Sequence, residues 1–137
     1  MLSESTRAGV VEIARAAPAV VALYIFGSRA NGTAAAASDL DLAVLADRPL
    51  ELAALVDLQQ RFEDVAAFRV DVVDLRSAEA YLALDVVRGD RVYCRHEETA
   101  DEFELFVMRR AGDLEPFERE RRRLLATTPL ASTPARG

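Results

Sequence analysis

Seven consecutive apolar residues, Val20-Val21-Ala22-Leu23-Tyr24-Ile25-Phe26, run into Gly27-Ser28, and ten residues further on the chain reads Asp39-Leu40-Asp41. A continuous β-prone run that stops at glycine belongs to a strand covered on both faces, so it must lie inside a sheet and not at its rim. The stretch Asp39-Leu40-Asp41-Leu42-Ala43-Val44-Leu45 reads as a second strand that begins at the acidic pair. Between them, residues 28–38 form a turn-rich insert with Asn31-Gly32 as its turn signal. The two strands therefore bring Gly27-Ser28 and the two acids to neighbouring strand tips.

The remaining elements follow from periodicity. Val10, Val11, Ile13, Ala14 and Ala17 mark one face of a helix over residues 5–17, closed by Pro18. Pro49 opens a helix reaching about Ala66, with Leu52, Leu55, Val56, Phe62 and Val65 on one face. Arg69–Leu75 is a third strand, Ser77 caps a helix that ends at Gly89, and a short strand follows at Arg91–Cys94. Two helices come last, one carrying Phe103, Phe106 and Val107, the other Leu114, Phe117, Arg121 and Leu124. This order predicts an α/β (α+β) fold in which helices pack on a small mixed sheet. One domain is expected over residues 1–126, with the sheet at about 19–95 and the final helices at about 97–126. Residues 127–137, with two prolines and little apolar content, are expected to be a disordered tail.

Composition removes several classes of function. A chain of 137 residues supports one domain with a real core. The net charge of −6 argues against direct nucleic-acid binding, which needs a basic footprint. No lysine occurs, so neither a lysine nucleophile nor a P-loop lysine is available. Cys94 is alone and reads as a small buried residue. No run of eighteen apolar residues and no secretory signal are visible, so no membrane association and a cytoplasmic location are expected. Charge is uneven: residues 106–137 carry 7 Arg against 4 acids, and residues 1–105 carry 10 Arg against 19 acids.

The acidic pair carries the chemistry. Side chains alternate along a strand, so Asp39 and Asp41 share a face while Leu40 and Leu42 turn to the core. Close carboxylates repel one another unless a cation neutralises them. Mg²⁺ takes hard oxygen ligands, commonly one or two carboxylates with substrate phosphates and water. Asp71, flanked by Val70 and Val72, points away from the core and supplies a third carboxylate if its strand lies beside the second. Three such acids suit two ions acting on the attacking and leaving oxygens of an in-line displacement, and Asp71 is placed to accept the acceptor's proton. Asp74 has the opposite parity and reads as a cap or surface acid. Gly27 lets backbone approach a phosphate, Ser28 can offer amides and a hydroxyl to phosphate oxygens, and Arg29 can add charge or lie in solvent. Singly, an Asp-x-Asp is a solvated strand end and a Gly-Ser is a turn; the fixed spacing is what makes them a site. His96, beside Glu97-Glu98, reads as a surface residue, and Arg119 with Arg121–Arg123 as a solvated face or a dock for an acidic partner.

The set Gly27-Ser28, Asp39-x-Asp41 and Asp71 resembles the DNA polymerase β-like nucleotidyltransferase superfamily. More narrowly, Phe26-Gly27-Ser28-Arg29 and Ser38-Asp39-Leu40-Asp41-Leu42-Ala43-Val44 resemble the minimal nucleotidyltransferases, whose signature is Gly-Ser, ten residues, then Asp-x-Asp. Asn31 departs from the group, where many relatives carry a basic residue. Members of this size are commonly the antitoxin of a HEPN/MNT toxin–antitoxin pair, which moves AMP from ATP onto a tyrosine of the HEPN ribonuclease toxin. The resemblance implies that Asp39, Asp41 and Asp71 bind Mg²⁺ and act as catalytic acids. It also implies that Gly27 and Ser28 cradle the triphosphate of ATP. A cognate HEPN toxin is the expected partner, in a homo- or hetero-oligomer. The rival readings are transfer to a small hydroxylated molecule and steric neutralisation of a toxin without catalysis. Size favours a protein acceptor, because the sheet leaves only the last helices to enclose anything.

Overall fold

The continuous apolar run forms the strand the sequence predicts, and its place in the sheet explains its composition. In the computed structural model, which describes residues 2–27 and 39–127, β1 (Val20–Phe26) is buried along its whole length. It pairs antiparallel with β2 (Leu40–Ala46) on one side and with β4 (Asp90–Cys94) on the other. β2 in turn pairs in parallel with β3 (Val70–Asp74), so the mixed sheet has the order β3-β2-β1-β4. The two central strands carry the near-continuous apolar sequences, as strands covered on both faces must.

One face of the sheet receives α1 (Glu4–Ala16) and α2 (Leu52–Ala66). Val10 and Ala14 of α1 and Leu58, Phe62 and Ala66 of α2 join Leu23, Ile25, Leu40, Leu42, Val44 and Val70 in one buried cluster. Burying a side chain the size of Phe62 contributes about 1.5–3 kcal/mol. The opposite face receives α3 (Ala80–Val87) and α4 (Glu97–Thr127), whose Ala83, Val86, Ala100 and Val107 pack on Val21, Tyr24, Phe26, Ala43 and Leu45. The alternation of β2 thus divides its residues between two cores. Asp41 sits on the α3–α4 face, at the end of the strand that those helices leave uncovered.

Local signals account for most element ends. Ser3 caps α1 through its hydroxyl, which accepts from the Thr6 amide at 3.1 Å. Several details differ from expectation. α2 starts at Leu52, three residues after Pro49, with Glu51 at its N-cap. Ser77 does not cap α3; Glu79 does, its carboxylate accepting from the Tyr81 and Leu82 amides, while the Ser77 hydroxyl donates to Asp74. The two C-terminal helices are one. Pro116 lies inside α4, where it lacks the N–H that Gly112's carbonyl would receive, yet the helix continues to Thr127. A proline in a helical pattern removes one bond and does not always end the helix. Cys94 is half-buried, and that partial burial pushes its thiol pKa up. The predicted tail, residues 127–137, lies outside the described residues from position 128 onward. Among the described residues no helix is long and apolar enough to cross a membrane.

Candidate active site

The end of β1 and the starts of β2 and β3 meet at one edge of the sheet. Phe26 is the register partner of Asp41 on one side, and Asp41 is the partner of Asp71 on the other. Asp39 immediately precedes β2. The predicted acids are therefore carried by adjacent strands, with Asp41 in the middle. Its carboxyl pKa is raised, first by partial burial and then by the negative charges of Asp71 and Asp39. Both neighbours' charges reach it, which is the electrostatic signature of a site short of positive charge. As the side chains stand, no three acidic, His or Cys groups among the described residues are gathered closely enough to enclose one ion. The donors are nonetheless all carboxylate oxygens, the type a hard divalent cation takes.

Gly27 is placed by need. Its φ of 77° lies in the left-handed region, and a Cβ there would overlap Asp41 Oδ2 and stand 3.3 Å from Asp41 Cγ. The central acid thus excludes a side chain at this position, a demand for glycine in addition to the phosphate approach expected from the sequence. Ser28 and Arg29, like Asn31, lie outside the described residues.

Two other residues take clearer roles in the structure than in the sequence. Asp74 is a cap, as expected, but not a surface acid: it is 7% exposed and accepts from the Leu50 amide at 2.9 Å, the Arg76 amide and the Ser77 hydroxyl. It holds the β3 exit and the α2 entry together, at the far end of β3 from the site. Arg69 is a residue that pattern alone does not single out. It directly precedes β3, shares the strand parity of Asp71, and reaches Asp39, Nη2 to Oδ2, at 3.7 Å. A basic residue two positions before a predicted catalytic acid was the available signal.

A family model for the polymerase β nucleotidyltransferases matches residues 9–98, about two thirds of the chain and all of the sheet. The chain belongs to the polymerase β nucleotidyltransferase family. This nucleotidyltransferase is 33% identical over 109 residues to the protein adenylyltransferase MntA of Shewanella oneidensis, covering 79% of this chain and 76% of that protein. Among solved structures it is similar to a chain of a toxin–antitoxin crystallised with AMP-PNP. There the TM-score is 0.72 and the identity 27%, over 88% of this chain and 95% of that one. It also shares its fold with a chain from the complex of tri-AMPylated Shewanella oneidensis HEPN toxin with MNT antitoxin. That TM-score is 0.67 at 24% identity, over 88% and 93% of the two chains.

The remaining candidates of the nucleotidyltransferase stand apart from this edge. His96 is exposed at the start of α4. Arg119 pairs with Glu115 at 3.5 Å and Arg123 with Glu120, both within α4. Those pairs fit the solvated face expected for one reading of the basic stretch. Arg122's side chain lies outside the described residues.

Proposed function

We propose that this chain is a Mg²⁺-dependent protein adenylyltransferase that serves as an antitoxin. It transfers AMP from ATP to a tyrosine hydroxyl of a cognate HEPN ribonuclease toxin and so silences it. The observation that carries the reading is the Asp41–Asp71 register pair beside Asp39, in a chain related to the adenylyltransferase MntA.

In this reading the tyrosyl oxygen attacks the α-phosphorus of ATP, the new O–P bond forms, and the bond to the bridging oxygen breaks to release pyrophosphate. Asp71, the acid on the exposed outer strand, accepts the tyrosyl proton. Asp39, Asp41 and Asp71 are the residues that would hold Mg²⁺, which would supply neutralisation of phosphate charge. Gly27 keeps room for the Asp41 carboxylate, and Ser28 and Arg29 receive the triphosphate. Location in the cytoplasm, beside ATP and a ribonuclease target, belongs to the same proposal.

The test is the intact mass of the partner toxin after incubation with this chain, Mg²⁺ and ATP. A gain of one or more AMP units that disappears with Asp39→Asn is expected. An unmodified toxin that is nonetheless held and silenced would replace this reading with steric neutralisation.

A further inference from the structure

Arg69 is held in an unusual balance at the active edge. Its backbone is locked, because its carbonyl accepts from the Leu40 amide at 2.9 Å as β3 comes alongside β2. Its side chain is not: 79% exposed, it approaches the half-buried Asp39 at 3.7 Å, close enough for charge attraction but beyond the roughly 2.7–3.2 Å of an N–H···O hydrogen bond. Among the described residues its guanidinium makes no hydrogen bond. Of the three acids, Asp39 is the one found in an ion pair among the described residues, so Arg69 is the cation this fold brings to them. An exposed ion pair of this kind contributes little to stability and breaks readily.

We infer that Arg69 is a nucleotide-binding residue that hands its charge over. Before ATP binds it partly neutralises Asp39. When metal and nucleotide bind together, Asp39 is taken up by the metal, and the displaced guanidinium grips the triphosphate that arrives with it. The planar fork of five donors matches phosphate oxygens. The backbone lock keeps the side chain's origin beside the site while its tip moves. This inference rests on the nucleotidyltransferase reading of the edge.

The experiment measures binding, not turnover, in the intact chain. Calorimetry would compare the wild type with Arg69→Gln and Arg69→Lys, using the non-hydrolysable analogue AMP-PNP with Mg²⁺, and separately Mn²⁺ alone. Arg69→Gln is expected to weaken AMP-PNP by about tenfold or more, as loss of a charge-assisted bond does. The same variant should tighten Mn²⁺ alone by roughly two- to fivefold, because a competing cation has gone. Arg69→Lys, with charge but no fork, should fall between. Unchanged AMP-PNP affinity in Arg69→Gln, beside a wild type that binds it, overturns the role of Arg69 alone. Mn²⁺ binding that is unchanged or weaker overturns the hand-over. A wild type that does not bind AMP-PNP overturns the nucleotide reading itself.

Discussion

Asp41 and Asp71 are register partners across the parallel β2–β3 ladder, thirty residues apart in the chain and side by side in the sheet. Their like charges, with that of Asp39, raise the Asp41 pKa on top of its burial, so the folded chain carries a local electrostatic cost that a cation relieves.

Removing that cost by substitution should separate stability from activity. Asp41→Asn is expected to melt at the same or a higher temperature than the wild type in metal-free buffer, while AMP transfer falls by roughly 100-fold or more. Mg²⁺ should raise the wild-type melting temperature, by about 2.7 kcal/mol of stability at a hundredfold excess over Kd, and leave Asp41→Asn nearly unmoved. Thermal melts with and without Mg²⁺ check both halves.

Gly27→Ala tests the close approach of β1 to the central acid. Its φ is positive and the new methyl would displace the Asp41 carboxylate. A loss of about 1–2 kcal/mol in urea denaturation is expected from the backbone alone. Transfer activity should fall in parallel with that of the Asp41 variant. Full activity in a well-folded Gly27→Ala would show that Asp41's position is not critical.

Asp74 has the opposite profile. It is a buried carboxylate serving three donors from Leu50, Arg76 and Ser77. Asp74→Ala leaves those donors unpaired and should destabilise the chain by roughly 2–3 kcal/mol. Below the lowered melting temperature, the toxin's mass shift should be close to that of the wild type. A large drop in activity in folded protein would move Asp74 into the catalytic set.

Tyr24 sets an alkaline limit. It is 1% exposed, and its hydroxyl donates to Glu104 at 2.5 Å; Arg91 also donates to Glu104 and to Asp101, tying α4 to the sheet. Burial first, then the Glu104 hydrogen bond and charge, push its pKa far above the usual tyrosine value near 10. Above pH 10 an unfolded tyrosine loses its proton while the folded one keeps it. The native state then binds more protons, so stability falls as pH rises. Tyr24→Phe, which has no proton to keep, should lose less stability than the wild type between pH 9 and 11 in chemical denaturation. Parallel slopes for the two proteins would contradict this account.

The site was legible where chemistry and local pattern coincide. Alternation along a strand is a property of neighbouring residues, so the common face of Asp39 and Asp41, the outward aim of Asp71 and the opposite parity of Asp74 could be read without a fold. Arg69 was not, because an arginine before a strand is ordinary until its partner is known. The Ser77 cap failed for a related reason. Ser77 and Glu79 could each reach an exposed amide, and the choice fell to Glu79 because Asp74, buried at the strand end, claims the serine hydroxyl. The C-terminal segment reads as two helices because Phe103, Phe106 and Val107, and then Leu114, Phe117, Arg121 and Leu124, mark two separate apolar groups, while the backbone carries one helix through both.

By itself the sequence determined which segments are strands, which faces are apolar, and that acids stand at strand beginnings, since periodicities of two and 3.6 need only adjacent residues. The tertiary structure alone decided the order β3-β2-β1-β4, and with it the meeting of Asp41 with Asp71, Arg69 with Asp39, and Tyr24 with Glu104. Those contacts join residues tens of positions apart, and they form only where helices burying both faces of the sheet repay the loss of chain entropy in closing the loops between them.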